Sequence, residues 1–270
     1  MTTDVAAQLS AAPPRRPTLV SLLGLPLLRV ALVGTAALVT WAVLAAADEP
    51  GPFPPSMLFA AATMLPVNLI SIWLVRRALH REGRRARDLI GYSARRLGTD
   101  VLWGVLWMTV LAIPFFLAVM GVMFALHGGA ALDRFDTVFY DAEAAPMFDR
   151  AILTVLAVVS VVTFAPLNAP AEELIYRGYS QGGLQRRWPV LWAILVPASI
   201  FALQHVFYAV TPDAVLVYLA AFFVWGIGSG IIVWRQRRLM PIIVAHLLVN
   251  LMTSAPALVI VFLPDSALAG

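Results

Sequence analysis

The sequence contains no cysteine and no lysine, and it is poor in charge of either sign. Its nineteen permanently basic residues are all arginine, and charged residues make up only 13% of the 270. Without cysteine the chain can form no disulfide, no thiolate nucleophile and no cysteine-ligated metal site. A soluble domain of this length would carry roughly a quarter charged residues. The low charge therefore argues against a soluble globular protein.

The sequence also lacks the patterns of nucleotide-binding and repeat proteins. It has no P-loop, no G-x-G-x-x-G turn and no internal repeat at a fixed period. The pI is about 10.0, but arginines that flank membrane spans account for this value. No nucleic-acid partner is therefore predicted.

Long apolar runs are what the sequence has in abundance. Hydrophobic residues make up 61% of the chain, and its mean hydropathy is +0.85. A run of about 20 apolar residues can cross a bilayer as a helix. The sequence therefore predicts an all-α, polytopic transmembrane bundle with seven spans, at 30–47, 57–75, 101–126, 151–169, 189–210, 214–234 and 239–263.

The arginines predict how these spans are oriented. With a cytoplasmic N-terminus, seventeen of the nineteen arginines fall on the cytoplasmic side, and only Arg134 and Arg150 fall outside. Because positively charged loops stay inside, we expect the N-terminus in the cytoplasm and the C-terminus outside. This count treats Arg29 as a flank of the first span. It treats the basic segment 76–100 as a cytoplasmic loop that faces anionic lipid headgroups.

A few polar residues lie within or beside the predicted spans, where ionisable groups are costly and mark functional candidates. Glu173 and Arg177 are four residues apart, as are His246 and Asn250, so each pair can share one helical face. Carboxylate, imidazole and amide groups together can activate water, either by general base catalysis or around a divalent metal. The candidate site residues are Glu172, Glu173, Arg177, His205, His246 and Asn250.

Each of these signals also has a purely structural interpretation. The two glutamates follow Pro170 and could begin a cytoplasmic amphipathic helix, whose N-terminal end favours acidic side chains. His205, and His246 with Asn250, could join neighbouring helices by hydrogen bonds. The remaining histidines, His80 and His127, fall between predicted spans, and we interpret them as solvated loop residues.

Taken in order, three motifs resemble the signatures of a known family. The stretches EELIYR at 172–177, FALQH at 201–205 and HLLVN at 246–250 are similar to EExxxR, FxxxH and HxxxN. These are the signatures of the CAAX protease and bacteriocin-processing (CPBP, or Abi) family of intramembrane proteases. Gly178 extends the first motif to EExxxRG, and the resemblance covers roughly residues 150–255.

This resemblance implies hydrolysis of a peptide bond within the membrane or at its edge. It makes Glu172 the base that activates the attacking water, and His205 its assistant. It makes Glu173 and Arg177 the partners that fix Glu172. Composition predicts a disordered tail at 1–18, an N-terminal transmembrane region at 19–149 and a C-terminal tail at 264–270, and the resemblance implies a catalytic domain at 150–263. In a shared site, the two histidine rings should lie within about 15 Å of one another.

The resemblance leaves the use of a metal open. His246 and Asn250 are implied either to bind the oxyanion of the tetrahedral intermediate or to help hold a metal. In a metal-dependent enzyme the ligands of zinc, or of another divalent ion, would be Glu172, His205 and His246. No HExxH pair places two ligands on one helix, which favours a metal-independent glutamate protease. No other cofactor is predicted.

The expected partners are membrane lipids and a peptide or lipidated protein substrate. The apolar runs predict a multi-pass membrane protein. Arginine used to the exclusion of lysine suggests a GC-rich bacterial genome, so the expected location is the cytoplasmic membrane. Two other functions fit the same residues, namely a non-catalytic membrane scaffold or immunity protein and an ion-coupled transporter. The lack of an internal repeat argues against the transporter.

Overall fold

The computed structural model of the chain describes residues 16–49, 51–139 and 148–262. It is 85% helical, and no strand occurs in the described ranges. Seven of its helical segments are long and apolar enough to cross a membrane, which confirms the predicted all-α polytopic fold. We number them α1 (Leu19–Ala46), α2 (Met57–Arg81), α3 (Leu97–His127), α4 (Arg150–Leu184), α5 (Val190–Gln204), α6 (Pro212–Gln236) and α7 (Met240–Phe262).

The first helix begins well before the predicted start at 30. Thr18 caps it, because its side chain accepts a hydrogen bond from the backbone N–H of Ser21, which satisfies one of the free donors of the first turn. Arg29 consequently lies inside α1, where it is only 1% exposed. The interpretation of Arg29 as a flank of the first span is therefore wrong.

The fourth helix continues well past its predicted end at 169. Glu172 and Glu173 lie within α4 and are completely buried. They do not begin a solvated amphipathic helix, so that alternative is also wrong. Polar residues after 168 lower the local hydropathy, and this is why the sequence pattern placed the end of the span too early.

Two segments of α4 depart from regular α-helical geometry. Ser160–Phe164 and Leu174–Gln181 are π-helical, and Ala165–Glu173 between them is α-helical. The second π segment begins directly after Glu173. Such widened turns are rare in proteins and are frequent at functional sites.

The helices pack so that α4 contacts α2 and α7, α1 contacts α2 and α5, and α3 contacts α6 and α7. Glycine allows two of the closest approaches between them. A Cβ atom at Gly104 of α3 would lie 2.4 Å from Val244 Cγ1, and one at Gly183 would lie 2.2 Å from Leu22 Cδ2. Small residues at such contacts are typical of helix pairs in membranes.

The two histidines predicted to lie in loops belong instead to the last turns of helices. His80 lies in α2 and is exposed, as expected of a solvated residue. His127 ends α3, its side chain is 19% exposed, and its Nε2 lies 3.2 Å from Asp213 Oδ2 at the start of α6. The interpretation of His127 as a solvated loop residue is therefore wrong.

The segment between α2 and α3 is partly helical, with short helices at Ala86–Ile90 and Ala94–Arg96. The predicted tail at 264–270 and residues 1–15 of the predicted tail at 1–18 lie outside the described residues. The orientation of the bundle and the division at residue 150 stay predictions.

Candidate active site

The two adjacent glutamates of α4 each pair with a different buried arginine. Glu172 Oε1 lies 3.0 Å from Arg29 Nη2 of α1. Glu173 Oε1 lies 3.2 Å from Arg177 Nη1, one turn further along α4. All four side chains are at most 2% exposed. A buried charge without a partner would cost several kcal/mol, so the two pairs allow both carboxylates to be charged in the interior.

His246 of α7 lies between these two ion pairs. Its Nδ1 is 2.9 Å from Glu173 Oε1, and its Nε2 is 3.5 Å from Glu172 Oε2. Because a carboxylate can only accept, Nδ1–H is the donor in the shorter contact. The bond to Glu173 therefore holds the imidazole, and its Nε2 lies close to Glu172 without a hydrogen bond to it.

Arg29 is the centre of a buried hydrogen-bond network that extends beyond the predicted site. Its guanidinium donates to five side-chain acceptors at 2.8–3.2 Å, on Ser71, Asn68, Asn168, Glu172 and Gln204. Gln204 Nε2 also donates to Glu172 Oε1 at 2.8 Å, and the Tyr176 hydroxyl donates to Gln204 Oε1 at 2.9 Å. Oxygen Oε1 of Glu172 is thus held by two donors from two other helices.

Sequence reasoning missed this network although the sequence contained a signal for it. Arg29 is the only charged residue between 19 and 46, and a charge inside an apolar run is a functional candidate. Asn68 and Ser71 are likewise polar residues in the apolar part of α2, three apart on one face. Gln204 directly precedes His205 of the second motif.

His205 begins the 3₁₀ turn His205–Tyr208 that follows α5. Its Nδ1 lies 2.8 Å from the Phe201 carbonyl oxygen. A carbonyl only accepts, so Nδ1 carries the proton and Nε2 of the neutral ring is left as an acceptor. The ring stacks on Phe222, with 3.5 Å between ring centroids and 11° between planes, which fixes its tilt.

The Phe201 ring lies against both histidines of the predicted site. Its centroid is 4.7 Å from that of His205 and 6.2 Å from that of His246. The two imidazoles can be no further apart than the sum of these distances. They therefore lie within the limit of about 15 Å that a shared site requires.

Several buried polar atoms of the predicted site residues, and the Tyr208 hydroxyl, have no hydrogen-bond partner among the described residues. Asn250 follows His246 by one turn of α7 and is 5% exposed. An unpaired buried polar group costs about 1–3 kcal/mol, so these atoms are the groups that a bound water or substrate would satisfy. They are Glu172 Oε2, Glu173 Oε2, Asn250 Nδ2, Arg177 Nη2 and the Tyr208 hydroxyl.

Each of the three predicted metal ligands uses one donor atom in another contact. Glu172 Oε1 pairs with a guanidinium, His246 Nδ1 donates to Glu173, and His205 Nδ1 donates to a backbone carbonyl. A cation at 3.0 Å from Glu172 repels a second cation that approaches the same carboxylate. In the described ranges, no three histidine, aspartate or glutamate side chains are grouped so as to hold a metal ion. Glu172 Oε2 and His205 Nε2 are outside these contacts, so the choice between a metal-dependent and a metal-free enzyme stays a prediction.

The segment that carries the three motifs is similar to a known protein family. Residues 152–252 match the family model described as type II CAAX prenyl endopeptidase Rce1-like. This segment is therefore similar to that family. It contains all three motifs, so the match confirms the resemblance that they predict. No curated protein and no solved structure matches the chain.

The Rce1-like match supports a membrane protease, and with the seven apolar helices it supports a multi-pass membrane protein. It runs from α4 to α7 and leaves out α1, α2 and α3. Arg29, Asn68 and Ser71 therefore lie outside the matched segment, although they contact its central glutamate directly or through Arg29. The site is completed by helices that the family match does not cover.

Proposed function

We propose that this protein is a membrane endopeptidase in which Glu172 activates water without a metal ion. The observation that carries the proposal is the unequal environment of the two Glu172 oxygens. Oε1 accepts from Arg29 and Gln204, whereas Oε2 has no hydrogen-bond partner among the described residues. One oxygen is thus held in place, and the other keeps lone pairs for a proton.

Proton transfer in this proposal begins and ends at Glu172 Oε2. Oε2 takes a proton from water as the water oxygen bonds to the scissile carbonyl carbon, whose oxygen becomes an oxyanion. The oxyanion then re-forms the carbonyl, the C–N bond breaks, and the proton passes from Glu172 to the departing amine. A positioned carboxylate that acts as a general base accelerates such a reaction about 10²- to 10⁴-fold.

Two further side chains have the hydrogen-bonding capacity that this reaction needs. His205 Nε2 is an acceptor and can orient the attacking water. The Asn250 amide has an unpaired N–H group in a buried position and can donate to the oxyanion. Donors that are fixed in dry surroundings stabilise an oxyanion far better than donors in water.

Arg29, Glu173, Arg177 and His246 act in this proposal as positioning residues. Arg29 keeps Glu172 charged and fixes Oε1, so that only Oε2 can turn toward water. His246 is tied to Glu173 through Nδ1 and approaches Glu172 through Nε2. The pair of Arg177 and Glu173 thereby fixes the position of His246 beside Glu172.

The substrate class that fits best is a membrane-associated peptide or lipidated protein. The matched family is described as a type II CAAX prenyl endopeptidase. The buried position of the site within apolar helices also suits a substrate that arrives through the bilayer.

The test is to compare newly formed peptide N-termini in membranes that contain wild-type protein or one of three variants, by N-terminal labelling and mass spectrometry. We expect termini that depend on the wild type and are lost in Glu172→Gln and His205→Ala. The matched control is Asp136→Asn, which removes one carboxylate from an exposed position and should retain them. Identical profiles for wild type and Glu172→Gln would contradict the proposed role of Glu172.

A further inference from the structure

A groove of about 980 Å³ lies between the end of α2, the short helix Ala86–Ile90 and α4, separate from the glutamate pair. We call it the basic groove. One part of its lining is apolar and includes Leu69, Ile72, Trp73, Ile90, Pro170 and Leu174. The other part is basic and consists of Arg76, Arg77, His80, Arg84, Arg85 and Arg87. No acidic residue lines it.

The positive charge of the basic groove is only partly compensated. Arg84 lies 3.3 Å from Glu82, and Arg87 lies 3.8 Å from Asp88 in an exposed pair. The Arg84 pair is partly buried, since the Glu82 side chain is only 6% exposed. An exposed pair such as that of Arg87 contributes little and leaves its cation available. The backbone N–H of Arg85 donates to Asp88, but the guanidinium groups of Arg76 and Arg85 have no acidic partner among the described residues. The groove therefore offers several guanidinium groups to an anion.

The apolar and basic parts follow one another along a single face of α2. Residues 69, 72, 73, 76, 77 and 80 recur at the three- and four-residue spacing of one helical stripe. The stripe changes from apolar to arginine within one turn, which is about 5.4 Å. Leu69 is 51% and Trp73 is 55% exposed, so the apolar part opens outward, and tryptophan is typical of the membrane interface.

We propose that the basic groove binds an anionic phospholipid, with its phosphate among the arginines and its acyl chains along Leu69, Trp73 and Leu174. The guanidinium fork matches phosphate oxygens in a bidentate geometry. Basic pockets between membrane helices are known to bind anionic headgroups. A free anion would leave the apolar wall unused, and a neutral lipid would leave the arginines uncompensated.

Lipid in the basic groove would contact the helix that carries the catalytic candidates. Pro170 and Leu174 line the groove, and Glu172 and Glu173 lie between them on α4. The lipid would therefore pack against the turn of α4 that precedes the second π segment. We expect it to stabilise the folded protein, independently of whether Glu172 acts as a base.

The test measures phosphatidylglycerol bound to purified protein by native mass spectrometry in detergent. The groove variant is the double substitution Arg76→Gln and Arg85→Gln. The control variant is Arg95→Gln with Arg96→Gln, which removes the same charge from the same basic segment but from residues that do not line the groove. Unchanged thermal unfolding without lipid would establish that both variants fold.

We expect the groove variant to bind phosphatidylglycerol about thirtyfold more weakly, because each arginine near an anionic headgroup contributes about a factor of five. The control variant should bind like the wild type. Equal weakening in both variants, or none in the groove variant, would overturn the proposal, since the attraction would then be non-specific.

Two further measurements identify what the groove recognises. Phosphatidylcholine should bind wild-type protein much more weakly than phosphatidylglycerol, and millimolar inorganic phosphate should not displace the bound lipid. Equal binding of the two lipids would show that the groove recognises acyl chains and not the anionic headgroup. Displacement by inorganic phosphate would reduce it to an anion site, and either result would contradict the proposed ligand.

Discussion

Replacing Arg29 with methionine removes the cation that holds Glu172 while it keeps most of the apolar stem. The change deletes the donors to all five acceptors of the network. It leaves the Glu172 carboxylate, whose side chain is 1% exposed, with Gln204 as the remaining donor to Oε1. Removing one partner of a buried ion pair costs about 3–5 kcal/mol. We expect the free energy of unfolding to fall by this amount.

The assay is reversible unfolding in mixed detergent micelles, applied as a double-mutant cycle. The cycle compares Arg29→Met, Glu172→Gln and the double variant with the wild type. Each single change leaves one uncompensated buried charge, whereas the double change leaves none. The double variant should therefore be more stable than additivity predicts, by about 2 kcal/mol.

The matched control is Arg95→Met, which makes the same substitution at an exposed position. It should change the free energy of unfolding by no more than about 0.5 kcal/mol. A loss in Arg29→Met no larger than in this control would refute the reasoning. Additive effects of the two single changes would refute it as well, since they would mean that Arg29 and Glu172 do not interact.

Three further outcomes follow from the site and from the packing. If the Asn250 amide binds the oxyanion, Asn250→Ala should lower kcat about 10²- to 10³-fold with a smaller effect on KM. A change in KM alone would contradict that role. Cleavage should be unaffected by prolonged treatment with a metal chelator, and activity that is lost and then restored by a divalent ion would contradict the metal-free mechanism. Gly104→Ala should destabilise the protein by about 1–3 kcal/mol, because its Cβ would lie 2.4 Å from Val244. Gly121→Ala in the same helix has no neighbour within 4 Å and should be neutral or stabilising, so equal effects at the two glycines would contradict the packing of α3 on α7.

The sequence was sufficient for the parts of this protein that depend on local pattern. Apolar runs predicted all seven membrane helices, and motif spacing placed Glu173 and Arg177 on one face of α4, where they do pair. Arg29 and Gln204 were not predicted because they meet across 175 positions of the chain, and no local period records such a contact. The extent of α4 was missed for a related reason. The two glutamates beyond residue 169 are polar yet buried, since partners from α1, α5 and α7 contact them.

The most direct test of the account compares the rate at which purified Glu172→Gln and Glu173→Gln proteins cleave a peptide that spans a cleavage site found in the membrane experiment. Glu172 presents a free oxygen to the interior, whereas the role of Glu173 is to hold His246 and Arg177. We predict that Glu172→Gln lowers kcat by at least about 10²-fold in the fraction that is folded, and that Glu173→Gln retains measurable cleavage. Cleavage by Glu172→Gln within a fewfold of the wild-type rate would contradict the account.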